Sequence, residues 1–486
     1  MLRRVACVLL IGLLSTLAGC SVNPATGERS FTAFMSEAEE SKIGREAHPK
    51  ILEEFGGAYD DPELQRYIES IVDLLASTTE RPDIDFTATV LNSPVVNAFA
   101  LPGGYVYVTR GLLALADNEA EVASVLAHEI GHVVARHSAQ RHSRSVLAQI
   151  GLAGLGLATG SGELVNLAGT GTAALLQSYS RDQEFEADTL GVRYMARANF
   201  DPQAAATFLG KLQAQTRLEA ALAGRPEAAD EFSIMSTHPR TVDRVQRAMK
   251  NAGATAVADP ILARDIYLEK IDGLLYGEDP SEGIVRGRQF IHPALRFAFE
   301  VPEGFALRNG AKEVVARGPD GALIVFDAAP RQPPGRSMVD YLTREWAKGI
   351  DLREVEPIEI DGMDAATGAA RLKTREGLVD LRPVAIRYDD QTVYRFLFIT
   401  PPDRTEDLSL ALRKTTYSFR RLAAEEAAAI EPLRVEVVTV RPGDTVESLA
   451  RQMPFTDRAE ERFRVLNGLS EGDSVTPGQK VKVIRG

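Results

Sequence analysis

The sequence predicts an α+β chain: a mainly helical first half with a small edge sheet, a small α+β middle region and a short βααβ tail. Three observations predict it. Apolar residues recur at helical spacing over 118–144 and again after Ser180. Arg296-Phe297-Ala298-Phe299-Glu300-Val301 opens a region of clean strand alternation and turn signals. After about Arg434 two strand-like runs enclose two short helical ones.

Residues 1–19 carry Arg3 and Arg4, an apolar run over 5–14 too short to span a bilayer, and Leu17-Ala18-Gly19 before Cys20. This reads as a secretion signal rather than a membrane anchor. Between 97 and 109, Tyr105, Tyr107 and Thr109 alternate with Val106 and Val108, as in a half-buried strand. No Pro interrupts 118–144, Val122, Val125, Leu126, Ile130, Val133 and Val134 share a stripe, and Asn118 with Glu121 makes a capping box, so one continuous helix is expected. The Gly-, Ala- and Leu-rich stretch 146–176 is split by Gly160-Ser161-Gly162-Glu163 into apolar pieces of about fifteen, short of the ~20 a spanning helix needs. A helical hairpin over the site is expected there.

Ser180-Arg181-Asp182-Gln183 is a second capping box, opening a helix through Leu190, Val192, Tyr194 and Met195 that ends at Asn199. A helix over 260–276 and the linker Gly277-Glu278-Asp279-Pro280-Ser281-Glu282-Gly283 close the first half. Over 286–421, Gly318-Pro319-Asp320-Gly321 is a turn, Asp389-Asp390-Gln391 joins two long strands, and helices are expected over 337–348 and 405–415. This domain resembles the PsbP or Mog-one sandwich. It has no cluster of catalytic spacing, so a binding or shielding role is expected. The domain bounds are therefore 1–19, 20–276, 286–421 and 434–486.

The chemistry lies in His128-Glu129-Ile130-Gly131-His132. Helical positions four apart lie one above the other, so His128 and His132 can point ring nitrogens at one cation. Glu129 stands beside them, where a general base must be to take a proton from the attacking water. The bland alternative is a solvated helix with two chance histidines, and a third ligand decides against it, because a catalytic zinc takes three protein ligands. The HExxHxxGxxH pattern does not supply that ligand: Ala135 replaces the Gly, Ser138 replaces the His, and His137 is one residue out of step. His137 and His142 therefore read as exposed. On the second helix Glu184 and Asp188 share a face and Glu186 points away. One carboxylate can bind the cation while the other orients a ligand His through its second ring nitrogen.

His128-Glu129-Ile130-Gly131-His132 followed by Glu184-Phe185-Glu186-Ala187-Asp188 resembles the gluzincin family of CAAX prenyl proteases, HtpX and Oma membrane proteases and BepA-like secreted proteases. The likeness covers roughly residues 23–250, including Asn23-Pro24-Ala25-Thr26-Gly27 and Met35-Ser36-Glu37-Ala38-Glu39-Glu40, which are typical of the secreted branch. It implies a zincin metalloprotease domain with one Zn2+ per chain on His128, His132 and Glu184, and Asp188 behind a ligand His. Ser236-Thr237-His238-Pro239, with Arg244 after it, looks like the family's Thr-His-Pro segment. This implies that His238 steadies the oxyanion or contacts the metal, with Arg244 in support. Asn97, Ala98, Phe99 and Ala100 resemble the strand edging the family's cleft, which implies main-chain pairing with an extended substrate.

Leu17-Ala18-Gly19-Cys20 resembles the bacterial lipobox, which implies an acylated Cys20, and Ser21 favours the periplasmic face of an outer membrane. Val440-Arg441-Pro442-Gly443-Asp444-Thr445, Val465-Leu466-Asn467-Gly468 and Pro477-Gly478-Gln479 resemble a LysM module that binds N-acetylglucosamine polymers, although Met453-Pro454-Phe455-Thr456-Asp457-Arg458 departs from its usual short link. The tail is expected to be dispensable for peptide-bond cleavage.

Composition limits the remaining options. A net charge of -13 argues against a nucleic-acid partner. With Cys7 removed in the signal and Cys20 acylated, the two cysteines leave neither a disulfide nor a thiolate site, so metal ligands must be His and carboxylate. The expectation is a lipid-anchored zinc endopeptidase of the bacterial envelope that acts on unfolded or misassembled envelope proteins as quality control. Two alternatives keep little turnover: an envelope chaperone or scaffold for outer-membrane proteins, and a peptidoglycan-associated protein in which the tail is primary. Intact Glu129 favours the enzyme.

Overall fold

The first unit opens with a hairpin of β1 (Cys20–Val22) and β2 (Arg29–Phe31), followed by α1 (Glu37–Glu54) and α2 (Pro62–Ser77). Ser36 and Glu39 cap α1 reciprocally, while Asp61 caps α2 and Pro62 sits in its first turn, where a missing N–H costs nothing. The computed structural model describes residues 20–147, 178–224, 226–228, 244, 247, 250, 257–310, 312–330, 335–374 and 377–486. The expected hairpin over 146–176 lies outside them, apart from its first two residues. Among the described residues no helix is long and apolar enough to cross a membrane.

Next come β3 (Thr87–Leu91), β4 (Ala98–Leu101) and β5 (Tyr105–Thr109), a sheet of order β3-β5-β4 with β4 antiparallel at its edge. The helices α3 (Arg110–Leu115), α4 (Glu119–Val134), α5 (Arg181–Arg197), α6 (Gln203–Leu222) and α7 (Arg264–Ile271) complete this part of the chain. α4 is the central element, packed by α2, α5, α6 and β4 and buried almost all round. Any charge it carries inward must therefore be paired.

Two helices are shorter than the periodicity predicts. α4 stops at Val134, Arg136 adopts a left-handed φ of 57°, and helical backbone resumes over 137–147. The Arg136 guanidinium is anchored by Glu40 Oε2 and the Met35 carbonyl, both at 2.8 Å. That anchor offsets a conformation costing on the order of 1–3 kcal/mol for a residue with a Cβ. α7 begins only at Arg264 because Ile261 uses its backbone groups on Asn199 and Asp201 instead.

Residues 278–432 form the second unit. Its strands are β6 (Ile284–Arg286), β7 (Gln289–His292), β8 (Phe297–Glu300), β9 (Ala306–Asn309), β10 (Glu313–Arg317) and β11 (Leu323–Ala328), then, after α8 (Met338–Tyr341), β12 (Arg353–Ile360), β13 (Met363–Lys373), β14 (Leu378–Arg387) and β15 (Val393–Thr400), followed by α9 (Thr405–Ser418), β16 (Arg420–Arg421) and a short helical turn at Ala424–Ala428. Among the described residues they make antiparallel sheets of order β12-β13-β14-β15-β11-β10-β9 and β16-β8-β7-β6. Phe290, Phe297, Phe299, Phe326, Phe396 and Phe419 fill the core. Asp389 ties the β14–β15 turn by accepting from the Gln391 and Thr392 amides. The helix expected over 337–348 is only α8 continued by a π-turn at Leu342–Trp346.

The chain then returns to the first unit, where Tyr276 N–H donates to the Leu433 carbonyl at 2.7 Å. The tail is β17 (Arg434–Thr439), α10 (Val446–Ala450), α11 (Ala459–Leu466) and β18 (Lys480–Arg485), with the strands antiparallel. It is no separate module. Val435, Phe463, Leu466, Val481, Val483 and Ile484 belong to the same apolar core as α2, α4, α6 and α7. Lys482, fully buried, donates to the carbonyls of Ala114, Leu115 and Ala116 at 2.9, 3.0 and 2.5 Å and pairs with Asp117 Oδ1 at 3.0 Å. Lys211 of α6 holds the other Asp117 oxygen at 2.5 Å. The Lys482 ammonium satisfies the orphan carbonyls at the end of α3, one turn before α4 begins.

Candidate active site

α4 and α5 carry the site, and two glycines set their separation. A Cβ on Gly131 would lie 3.2 Å from the Ala187 carbonyl, and one on Gly191 would lie 3.1 Å from the His128 nitrogen. Each helix therefore receives the other's backbone where the histidines stand. This close crossing brings Glu184 of α5, itself buried, to His128 and His132.

His128 Nε2 and His132 Nε2 are 3.0 Å apart, and Glu184 presents Oε2 at 3.6 Å from the first and Oε1 at 3.5 Å from the second. Two ligands held ~2.0–2.1 Å from one tetrahedral ion lie about 3.3 Å apart. The spacing and the donor set, two imidazoles with a carboxylate, thus fit a zinc-sized cation. Among the described residues it is the cluster of His, Cys, Asp and Glu with metal-binding spacing. Burial drives the His132 pKa well below its ordinary value, which leaves the ring neutral, the form that offers a lone pair.

Behind this cluster, Asp188 Oδ1 lies 3.0 Å from His128 Nδ1, and Arg244 forks onto Asp188 at 2.8 and 2.6 Å while reaching Glu184 Oε2 at 2.7 Å. Burial opposes the Asp188 charge, but Arg244 and His128 outweigh it and hold the carboxyl below its usual range. Glu129 is wholly buried next to His128 on α4, and its charge is felt at both Arg244 and Tyr179. Tyr179 stacks on His132 with ring centroids 3.9 Å apart and an interplanar angle of 18°. Its hydroxyl meets Ser138 Oγ at 3.1 Å, and the Arg141 guanidinium covers the ring at 4.7 Å.

The expectation for His137 is overturned. It is 0% exposed, with Nδ1 2.7 Å from His132 Nδ1 and Nε2 3.2 Å from Glu186 Oε2. The break at Arg136, invisible in the helical period, turns it inward; His142 is exposed. Glu186 lies off the ligand face but is engaged with His137 rather than turned to solvent. Tyr179 escaped the sequence reading because a tyrosine ahead of a capping serine carries no distinguishing pattern. His238 lies outside the described residues. Of the strand residues, Phe99 points its ring into the core against Tyr107, with centroids 4.9 Å apart. Asn97 is half-buried and braced by Thr109, while Ala98 and Ala100 face the α4 side. Ala100 and Leu101 line a cavity of about 10 Å³ with His132 and Tyr179.

Two histidines four apart on one helix and a glutamate from a second helix, with a buried glutamate beside the first histidine, are the constellation of the HExxH metallopeptidases. Residues 62–252 match Peptidase family M48 and residues 438–483 match the LysM domain, so the chain carries an M48 peptidase domain and a LysM domain. It is 34% identical over 220 residues to the beta-barrel assembly-enhancing protease of Escherichia coli strain K12, covering 43% of each chain. It is 33% identical over 231 residues to the protein of that name from Yersinia pestis, 46% of each chain, and 32% identical over 230 residues to a mitochondrial metalloendopeptidase of Schizosaccharomyces pombe, 46% of this chain and 64% of that one. The chain thus spans less than half the length of the bacterial relatives it matches.

Proposed function

We propose that the protein is a zinc-dependent endopeptidase of the bacterial cell envelope that cleaves unfolded or misassembled envelope proteins. The observation that carries this reading is the buried His128–His132–Glu184 cluster with Glu129 beside it. In it His128, His132 and Glu184 would hold one Zn2+, which when bound would supply Lewis acidity for the scissile carbonyl and for the attacking water. Glu129 takes the proton of that water and delivers it to the leaving amine. Asp188, fixed by Arg244, accepts from His128 Nδ1–H and so keeps Nε2 bare for the cation. His238 steadies the oxyanion. Substrate adds to the outer edge of β4, which pairs with no strand among the described residues, through the main chain of Asn97, Ala98, Phe99 and Ala100, a mode that suits unfolded chains because it asks little of their sequence.

The bacterial relatives, named beta-barrel assembly-enhancing proteases, support an envelope setting. Acylation of Cys20 anchors the protein at the periplasmic face of an outer membrane, and the LysM domain binds peptidoglycan glycan. The test compares Glu129→Gln with Glu184→Gln, each of which removes one negative charge. Glu129→Gln is expected to keep its zinc by elemental analysis and to lose ~100- to 10,000-fold in the rate of casein cleavage. Glu184→Gln is expected to lose zinc. Wild-type cleavage by Glu129→Gln would end the proposal.

A further inference from the structure

On an undisturbed helix a residue five positions after His132 would lie about 140° around the axis, facing away from it. The left-handed turn at Arg136 cancels that rotation and returns the His137 ring to His132. Such a backbone is unfavourable for any residue with a Cβ, and Glu40 and Met35 hold it in place through the Arg136 side chain. The outcome is a continuous line from two buried histidines to the half-buried Glu186 and on to Asn23. His132 Nδ1 meets His137 Nδ1 at 2.7 Å, His137 Nε2 meets Glu186 Oε2 at 3.2 Å, and Asn23 Nδ2 donates to Glu186 Oε1 at 2.6 Å.

The cation site fixes the direction of every bond in this line. His132 Nε2 faces His128 and Glu184, so as a ligand it must be without a proton. The His132 proton then sits on Nδ1 and is donated to His137 Nδ1, which must be bare. His137 therefore carries its proton on Nε2 and donates it to Glu186, an acceptor only, whose other oxygen takes the Asn23 amide. No other tautomer pairing satisfies all four groups with both rings neutral. The arrangement mirrors the other ligand, since His128 reaches its carboxylate, Asp188, directly while His132 reaches one through an intervening imidazole.

We propose that His137, Glu186 and Asn23 are positioning residues for the metal ligand His132, with the Glu186 carboxylate acting through His137 to fix the His132 tautomer and strengthen its hold on the cation. Asn23 belongs to the turn between β1 and β2, so the arm next to the anchoring cysteine becomes part of the metal site. The inference rests on the zinc reading above.

The test uses the purified full chain, with zinc affinity measured by competition against a chromophoric chelator, the visible spectrum of the Co2+-substituted protein, and apo-protein melting. Glu186→Gln is expected to weaken zinc 10- to 100-fold and to alter the Co2+ spectrum while apo melting stays at the wild-type value. Glu186→Asp should recover part of the affinity. Asp182→Asn, which removes the same charge from an exposed position on α5, should leave affinity unchanged. His137→Phe should resemble Glu186→Gln. Wild-type zinc affinity and an unchanged Co2+ spectrum in both Glu186→Gln and His137→Phe would overturn the positioning role, as would a loss of affinity matched by Asp182→Asn. If the wild-type protein itself binds no zinc, the zinc reading fails first and the inference fails with it.

Discussion

Replacing Lys482 by Met tests whether the LysM domain is a structural member of the peptidase unit. The substitution keeps an apolar stem of similar length and deletes the ammonium, leaving three buried carbonyls uncapped and Asp117 with Lys211 as its remaining ion-pair partner among the contacts described above. Breaking a buried pair by removing one partner costs about 3–5 kcal/mol. At about 2 °C per kcal/mol for a unit of this size, the calorimetric transition of the peptidase–LysM unit should fall by about 6–10 °C while that of the 278–432 unit stays in place. A chain cut near Pro432 should then lack a folded peptidase domain, contrary to the expectation that the tail is dispensable. A Lys482→Met shift below about 2 °C would refute the argument, because the contact would then have to form without supporting the fold.

Further outcomes follow from the same geometry. Gly191→Ala pushes a methyl group towards the His128 backbone and should destabilise the protein by about 1–3 kcal/mol in urea melts, lowering zinc content as α4 and α5 separate. Burial opposes the Asp117 charge, but Lys211 and Lys482 hold its pKa at about 2, below the unfolded value of 3.8. Its contribution is therefore complete above about pH 4 and is lost as pH falls through 2, which acid titration by circular dichroism should show and Asp117→Asn should remove. Burial draws the Lys482 ammonium down to about 7 against that carboxylate, yet three carbonyl acceptors favour its charged form, so the acid limb follows Asp117. Cys20→Ser should move the protein from the membrane pellet to the soluble fraction, and quantitative sedimentation with membranes would rule out the lipid anchor.

The parts legible in the sequence were those written in local pattern. The four-residue spacings of His128/His132 and Glu184/Asp188, the Ser180 capping box, the turn at Asp389 and the βααβ tail all follow from periodicity or turn chemistry within one element. What escaped depends on contacts between distant segments. An arginine gives no sign of a left-handed turn, and the one at Arg136 that buries His137 depends on Glu40 and Met35, about a hundred residues away. Lys480-Val481-Lys482-Val483 reads as a strand with its lysines in water, whereas Lys482 is buried because α3 ends against it with three carbonyls unmet. Likewise the order of domains along the chain gave no hint that the middle one interrupts its neighbours' shared core.

That interruption has a consequence for the order of events during synthesis. Because β18 supplies Val481, Val483 and Ile484 to the core around α4, that core cannot be finished until β18, about 350 residues after α4, has emerged. The intervening 278–432 segment is a modest obstacle: loop-closure entropy grows only with the logarithm of length, and the segment folds as a unit of its own between ends already bonded at Tyr276 and Leu433. A site whose supporting core is closed by so late a strand has its scaffold completed only when β18 joins it.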